Sequence, residues 1–369
     1  MKLKILQETL SESLQIASRF TSNRTQLPVL GNIYLSSEKN KLIVSATNLE
    51  MSFTTSVGSQ VGKEGKITVP ARIIVDLVNN LNPGSLNLET DREQLIVSEN
   101  QNKFNISGMN VSDFPSVPQG IAKTNVALSN QGLLDSLSKV LFAVSTDETR
   151  PVLTGVLIIL KGGEVNFIAT DGFRLSQKKL KLKQNAKKEE KVIIPKNILS
   201  ELARLTKGEE VKMEINRADK QVIFAFEKMI LSSRVIEGDF PDFEKIIPKS
   251  SGVKIDVDKE EMLRAVKLIS VFARDSGNVA KIKVGKDSLT FSAESQSSGS
   301  GEEKIDAKVK GGEDDLSIAF NYRFLEDLLN SIDGDNIEIG LTDANAPGIF
   351  KDPKDPDYLH LIMPVRIQE

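Results

Sequence analysis

Apolar positions along the chain switch between a spacing of two and a spacing of three to four, and the switch recurs in a fixed order. The run Ile67-Thr-Val-Pro-Ala-Arg-Ile-Ile-Val-Asp-Leu-Val-Asn-Asn-Leu81 starts β-prone, continues at helical spacing and stops at Asn-Pro-Gly. A second copy reads Val192-Ile-Ile-Pro-Lys-Asn-Ile-Leu-Ser-Glu-Leu-Ala-Arg-Leu205, followed by Thr-Lys-Gly. A third reads Ser317-Ile-Ala-Phe-Asn-Tyr-Arg-Phe-Leu-Glu-Asp-Leu-Leu-Asn-Ser-Ile332, followed by Asp-Gly. The copies lie about 125 residues apart. Upstream of each comes another amphipathic segment, marked by Leu10, Leu14 and Ala17, by Leu134, Leu137, Val140 and Leu141, and by Met262, Ala265, Val266 and Ile269, with Asp258 placed as an N-cap.

Paired strand runs follow each amphipathic segment. Asn32-Ile-Tyr-Leu goes with Leu42-Ile-Val-Ser-Ala-Thr, Gly155-Val-Leu-Ile-Ile-Leu with Val165-Asn-Phe-Ile-Ala-Thr, and Ala280-Lys-Ile-Lys-Val with Ser288-Leu-Thr-Phe-Ser-Ala. Asp113-Phe-Pro and Asp239-Phe-Pro-Asp close the first two copies alike. Each unit reads as helix, hairpin, strands, helix, hairpin, an α+β module. Turn formers near Gly120–Thr124 and Pro248–Gly252 set the expected domains at residues 1–122, 123–249 and 250–369. The low-complexity stretch Ser295–Gly301 reads as a mobile loop inside the third unit.

At 369 residues the chain is long enough for such a division, and 39% hydrophobic with 27% charged residues is ordinary for a globular protein. No apolar run reaches membrane-spanning length, and the alternating Met1-Lys2-Leu3-Lys4-Ile5-Leu6 is unlike a signal peptide. With no Cys, disulfides, thiolate metal sites and a Cys nucleophile are excluded, and a cytoplasmic address is expected. Only one His is present, His360, inside the strand-like Tyr358-Leu-His-Leu-Ile-Met, with no Gly-x-Ser-x-Gly elbow. Its expected role is structural or that of a surface residue. Gly58-Ser-Gln-Val-Gly62-Lys63-Glu64 fails as a phosphate loop because its glycines are too close and Glu64 replaces the Mg²⁺-holding hydroxyl; a hairpin turn is expected instead. Asp333-Gly-Asp335-Asn336 fails as a calcium loop, because Ile337 takes a ligand position, and reads as a helix-ending turn. Asp352, Asp355 and Asp357 lie among prolines and read as a solvated loop. The chemistry points to a protein that is not an enzyme and needs no cofactor or metal.

Several stretches resemble the bacterial DNA polymerase III β-subunit family, the sliding clamps. They are Leu27-Pro-Val-Leu-Gly-Asn32, Arg150-Pro-Val-Leu153, Ala169-Thr-Asp-Gly-Phe-Arg-Leu175, Gly238-Asp-Phe-Pro-Asp-Phe243 and Met363-Pro-Val-Arg366, and they span the chain. The resemblance implies three tandem clamp domains, each with two helices and antiparallel sheets, and a head-to-tail homodimer forming a six-domain ring. Twelve helices spaced about 9 Å apart make a circle of axes roughly 34 Å across. Less about 10 Å for a helix diameter, this leaves a channel of about 25 Å, wide enough for a duplex.

By the same resemblance the protein is a processivity factor that encircles double-stranded DNA without sequence preference. Arg24 would contact DNA, and Arg72 and Lys196 occupy the starts of the repeated helices in places suited to facing the channel. Two acids in Thr146-Asp-Glu-Thr-Arg150 argue against DNA contact by that loop. A peptide-binding pocket is implied at Arg150, Leu153, Thr170, Gly172, Phe173, Arg174, Leu175, Pro241, Lys245, Ile246, Leu361, Met363, Pro364, Val365 and Arg366, with Lys245 standing where an Arg is common. An apolar cup rimmed by guanidinium groups suits a short Gln-Leu-x-Leu-Phe-like tail. Partners implied through such motifs are the replicative polymerase catalytic subunit, other polymerases, the clamp loader, mismatch-repair proteins and ligase. Phe104 and Ile106 match an edge strand, and Val271 and Phe272 the helix end facing it across the dimer interface; each could equally be core of its own domain. The acidic balance, a net charge of −3, favours the rival reading of a DNA-independent three-domain protein-binding adaptor.

Overall fold

The computed structural model describes residues 1–22, 26–182, 189–208, 210–248, 250–311 and 316–366. The amphipathic periods become six helices among the described residues: α1 (Gln7–Ser18), α2 (Ala71–Asn79), α3 (Asn130–Val140), α4 (Lys196–Leu205), α5 (Lys259–Ala273) and α6 (Tyr322–Ser331). Their apolar stripes point inward. Leu10, Leu14 and Ala17 are buried on α1, as are Met262, Ala265, Val266 and Ile269 on α5. Leu137 and Val140 are buried on α3, Leu134 is half-buried, and Leu141 falls in the short 3-10 turn Leu141–Ala143. The Asp258 carboxylate caps α5, accepting from the Glu261 N–H at 2.9 Å. Each buried Leu, Ile or Val stabilises the fold by roughly 1.5–3 kcal/mol, so these stripes, and not helix propensity, hold the short helices.

The predicted hairpins form in register, with Tyr34 opposite Ser45, Ile158 opposite Phe167 and Ile282 opposite Phe291. Less expected is how the strands are shared. The chain splits into two compact units, residues 1–130 with 204–235, and residues 131–203 with 236–369. In the first unit an eight-stranded sheet joins the first repeat to part of the second, because Met51–Gly58 pairs antiparallel with Met229–Arg234. A five-stranded sheet completes this unit and ends on Asn102–Ser107. In the second unit a nine-stranded sheet joins second and third repeats, with Arg174–Lys181 pairing antiparallel to Asp355–Ile362. Its four-stranded sheet ends on Gly299–Asp306. The sequence repeats and the compact units therefore cut the chain at different places: backbone pairing between repeats is as continuous as pairing within them.

Three local expectations change. Ser295–Gly301 is an ordered hairpin and not a mobile loop: Ser295 pairs with Gly299, and the Ser295 hydroxyl accepts from the Ser297 and Ser298 N–H groups at 3.2 and 3.3 Å. Gly301 is required there, since a Cβ would lie 2.5 Å from the Phe272 ring. Gly58–Lys63 is no hairpin turn; the chain leaves Met51–Gly58 in one sheet and enters Gln60–Lys63 in another, paired with Lys2–Leu6. Asp352 and Asp355 are not loop residues but sit in strands with Lys and backbone partners, and only the turn between them is loop. Asp333–Asp335 does form the turn after α6, held by the Gly334 N–H donating to Asp352 at 3.1 Å and by Lys354 pairing with Asp335 at 2.6 Å.

Candidate functional site

In the second unit, the turn between strands Glu164–Thr170 and Arg174–Lys181 is fixed by its own side chains. The Asp171 Oδ1 accepts from the Phe173 and Arg174 N–H groups at 2.9 and 3.0 Å. The Thr170 hydroxyl accepts from the Gly172 N–H at 3.1 Å and donates to the Arg174 carbonyl at 2.6 Å. Gly172 takes φ +94°, and the Arg150 guanidinium comes within 3.1 Å of where its Cβ would be. Left-handed backbone and close approach both select glycine. Phe173, at the tip, is 64% exposed.

Beneath the turn Leu175 pairs opposite Leu361, and both belong to a core with Leu157, Ile168, Ile193 and Phe243. Leu153 is buried as well. These three residues are thus buried, whereas Phe173, Ile246 and Met363 are exposed apolar side chains. Pro241, Lys245, Arg150 and Arg366 are exposed, Pro364 and Val365 half-buried, and Thr170 buried. Lys245 pairs with Asp242 at 2.8 Å, which raises its ammonium pKa. The C-terminal tail is tied down on both sides: the Met363 N–H donates to the Phe173 carbonyl and the Val365 N–H to the Ala319 carbonyl, each at 2.8 Å. Such a surface can take apolar side chains and has polar groups at its margin.

Arg174 is engaged otherwise than a rim residue would be. Its Nε donates to Asp171 at 3.0 Å, one terminal nitrogen to Asp327 at 2.6 Å and the other to the Phe142 carbonyl at 2.6 Å. The Phe324 and Phe142 rings lie over it, with centroids at 4.5 and 5.4 Å.

Next to this lies a charge cluster that sequence reasoning missed. Lys139 is buried and pairs with Asp355 at 2.7 Å, Asp135 at 2.9 Å and Asp333 at 3.1 Å. Lys178, also buried, pairs with Asp355 and with Asp135 at 3.2 Å. Burial alone would lower the Lys139 pKa, but the three carboxylates outweigh it and hold it above the lysine range. Asp355 is raised by burial and pulled further down by the two ammonium groups, ending below the usual carboxylate range. The only sequence signal, Asp135 four residues before Lys139, is what an exposed helix pair also shows. His360 is wholly buried: its Nδ1 lies 2.7 Å from the Ser176 hydroxyl, its ring 5.3 Å from that of Phe142, and its Nε2 has no hydrogen-bond partner. Burial, helped by the Arg174 charge, lowers its pKa to about 3, so it is a neutral core residue at ordinary pH. Burial pushes the Tyr358 hydroxyl up to about 12.

Elsewhere, Arg72 projects with 89% of its side chain exposed, 3.8 Å from Asp76. Lys196 is half-buried and is the first residue of α4, whereas Arg72 is the second of α2, so the two are offset by about 100° around their helices. The position matching Arg72 in the third repeat is Arg323, which is exposed and was missed. Arg24 lies outside the described residues. Phe104 is half-buried and Ile106 buried on the edge strand; Val271 is 57% exposed, and Phe272 packs against the third-repeat core. Among the described residues no group of three or more His, Asp or Glu is arranged to hold a metal ion, and no helix is long and apolar enough to cross a membrane.

Three consecutive α+β repeats, joined through shared antiparallel sheets, define the DNA-clamp class. The N-terminal, central and C-terminal domains of the DNA polymerase III beta subunit match residues 1–118, 127–242 and 244–366. The "Beta sliding clamp" of Staphylococcus aureus (strain Mu50) is 31% identical over 377 residues, covering 99% of both chains. The DNA polymerase sliding clamp of Bacillus subtilis superposes with a TM-score of 0.95 at 28% identity, covering 100% of both chains. A Pseudomonas aeruginosa sliding clamp bound to griselimycin does so at 0.93 and 26%, again over 100% of both. The chain belongs to the DNA polymerase III β-subunit family, the bacterial β sliding clamps. Its function is that of a DNA sliding clamp, a processivity factor in replication, and the family is non-catalytic.

Proposed function

We propose that two copies of the chain close head to tail into a ring around duplex DNA, with the Phe173–Ile246–Met363 surface of each tethering polymerases and other DNA-processing proteins through short apolar motifs. One observation carries the ring: the repeats use one joint twice and leave its two halves free. Met51–Gly58 pairs with Met229–Arg234 and Arg174–Lys181 with Asp355–Ile362, while the matching strands Gly299–Asp306 and Asn102–Ser107 both lie at sheet edges. An open edge invites a strand from another chain. A heterologous contact of this kind closes in two copies if each supplies one half-turn.

The register follows from the first joint. Met51 is opposite Ser233, and the pair Thr47–Ser52 corresponds to Glu294–Ser300, which puts Gly299 in the place of Met51; the hairpins Phe226–Met229 and Glu99–Asn102 correspond likewise. Gly299 then faces Ile106 of the other copy, Glu302 faces Lys103, and Gly301 faces Phe104. Opposite residues of an antiparallel pair share a face, so Phe104 would lie over the bare backbone of Gly301 beside Phe272, which fits the requirement for glycine there. Ile106 and Phe272 then serve mainly as packing within their own domains, with Phe104 and Val271 as the accessible interface residues.

The six helices carry eight basic and nine acidic residues, a net charge of −1. DNA would accordingly be held by topology, with Arg24, Arg72 and Lys196 as guides and few phosphate contacts. The griselimycin-bound relative supports a ligand-binding surface on clamps of this family. Clamp domains at 1–122, 123–249 and 250–369 and a cytoplasmic location complete the reading. The test is topological: chain loaded by its clamp loader and ATP onto nicked circular DNA should stay through gel filtration and be lost after linearisation. Equal retention on both forms would mean side-on binding and refute the ring.

A further inference from the structure

We propose that Arg174 is a positioning residue of the peptide site, acting through Asp327 of α6 and not by touching bound peptide; this rests on the peptide-site reading above. The guanidinium is held within the fold through each of its three nitrogens. Its Nε and both terminal nitrogens are engaged, by Asp171, Asp327 and the Phe142 carbonyl, at 3.0, 2.6 and 2.6 Å. Two aromatic rings cover it, and its side chain is only 10% exposed. A peptide carboxylate would have to compete with two carboxylates already paired to a side chain that is 10% exposed.

What Arg174 joins explains its place. On one side Asp171 accepts the Phe173 N–H and so sets the tip of the turn, whose carbonyl in turn receives the Met363 N–H. On the other side Asp327 belongs to α6, which runs directly on from strand Ser317–Asn321, where the Ala319 carbonyl receives the Val365 N–H. The turn of the second repeat and the tail of the third thus form the two walls of the site, and the Arg174–Asp327 bond fastens one to the other. A planar fork can hold both carboxylates and stack on Phe324 at once; a lysine can do neither fully.

The experiment uses full-length dimer and two fluorescent Gln-Leu-Ser-Leu-Phe probes, one with a free C-terminal carboxylate and one amidated. Asp327→Asn should weaken both probes by about tenfold although Asp327 is no part of the apolar surface. Arg174→Lys should do the same, and the double variant should be no worse than the poorer single one. Sedimentation as a dimer, which needs no peptide site, should be unchanged in all three, which separates positioning from general loss of structure. If Asp327→Asn binds like the parent while Arg174→Lys loses only the carboxylate probe, Arg174 contacts peptide directly and the proposal is wrong. Asp327 is 45% exposed, so its variant remains informative should Arg174→Lys fail to fold. Deletion of Met363–Glu369 reports on the site itself: undiminished binding there overturns the peptide-site reading, whatever the other variants show.

Discussion

His360 gives the chain a pH dependence that can be assigned to one residue. It is the only histidine among 369 residues, it is wholly buried, and its pKa is lowered to about 3, first by burial and then by the charge of Arg174. In the unfolded chain it takes up a proton near pH 6.5. Between that value and about 3 the unfolded state therefore binds one proton more than the folded state, so stability falls as pH falls. The loss is about 1.4 kcal/mol per pH unit, or about 2 kcal/mol at pH 5 relative to pH 7.5. Urea unfolding at fixed protein concentration, followed by tyrosine fluorescence, suits the measurement: there is no Trp, and two of the three Tyr, Tyr322 and Tyr358, are buried in the third repeat. His360→Asn keeps a polar group beside Ser176 but cannot titrate, so its stability should be lower at pH 7.5 yet nearly flat from pH 6.5 to 5. The comparison subtracts the terminal amine and the carboxylates, which titrate in both proteins. Parallel pH profiles for the two proteins would refute the assignment, meaning that His360 is protonated in the native state.

Two further outcomes are expected. Lys139→Met should cost about 3–5 kcal/mol, read as a lower urea midpoint, because Asp135 and Asp355 would then share Lys178 alone and Asp333 would lose its ammonium partner; a shift under about 1 kcal/mol would mean the cluster is solvated like a surface network. Replacing Phe104 and Val271 together with Asp should give monomers by sedimentation while leaving peptide affinity intact, and a dimer of full strength would remove both residues from the interface.

Much of the fold was legible because it is local. Strand-to-helix runs such as Ile67–Leu81, the three hairpins and the Asp258 cap depend on neighbours within about a dozen residues, where period and capping chemistry act. The sharing of sheets was not legible, since nothing in Met51–Gly58 marks Met229–Arg234, rather than another β-prone run, as its mate. The same distance hid the charged frame: Arg174 meets Asp327 153 residues away, and Lys139 meets Asp355 across 216. Composition misled in two places. Ser and Gly in 295–301 suggested mobility, whereas Ser295 caps the turn and Gly301 makes room for Phe272; the prolines around Asp355 suggested a solvated loop where a strand runs.

A threefold repeat ought to build the same site at each joint, and comparison of two turns shows why the proposed peptide site need not recur. Thr47–Met51 in the first unit repeats the frame of Thr170–Arg174 bond for bond. The Thr47 hydroxyl donates to the Met51 carbonyl at 2.9 Å and accepts from Leu49, and Asn48 accepts from the Glu50 and Met51 N–H groups at 3.0 and 2.8 Å. Even the tie to the following strand recurs, the Arg234 N–H donating to the Glu50 carbonyl at 2.9 Å, as Met363 does to Phe173. The differences lie in two side chains. Leu49 stands in the place of Gly172 and holds φ +75°, a left-handed conformation that costs a non-glycine residue about 1–2 kcal/mol. At Gly172 the absent side chain leaves room for the Arg150 guanidinium. Met51 stands in the place of Arg174 and has no fork with which to fasten the turn to a neighbouring helix. The backbone frame is thus shared by the first two repeats, written by Thr and Asx at its start, while the third and fifth residues set what the turn can be fastened to.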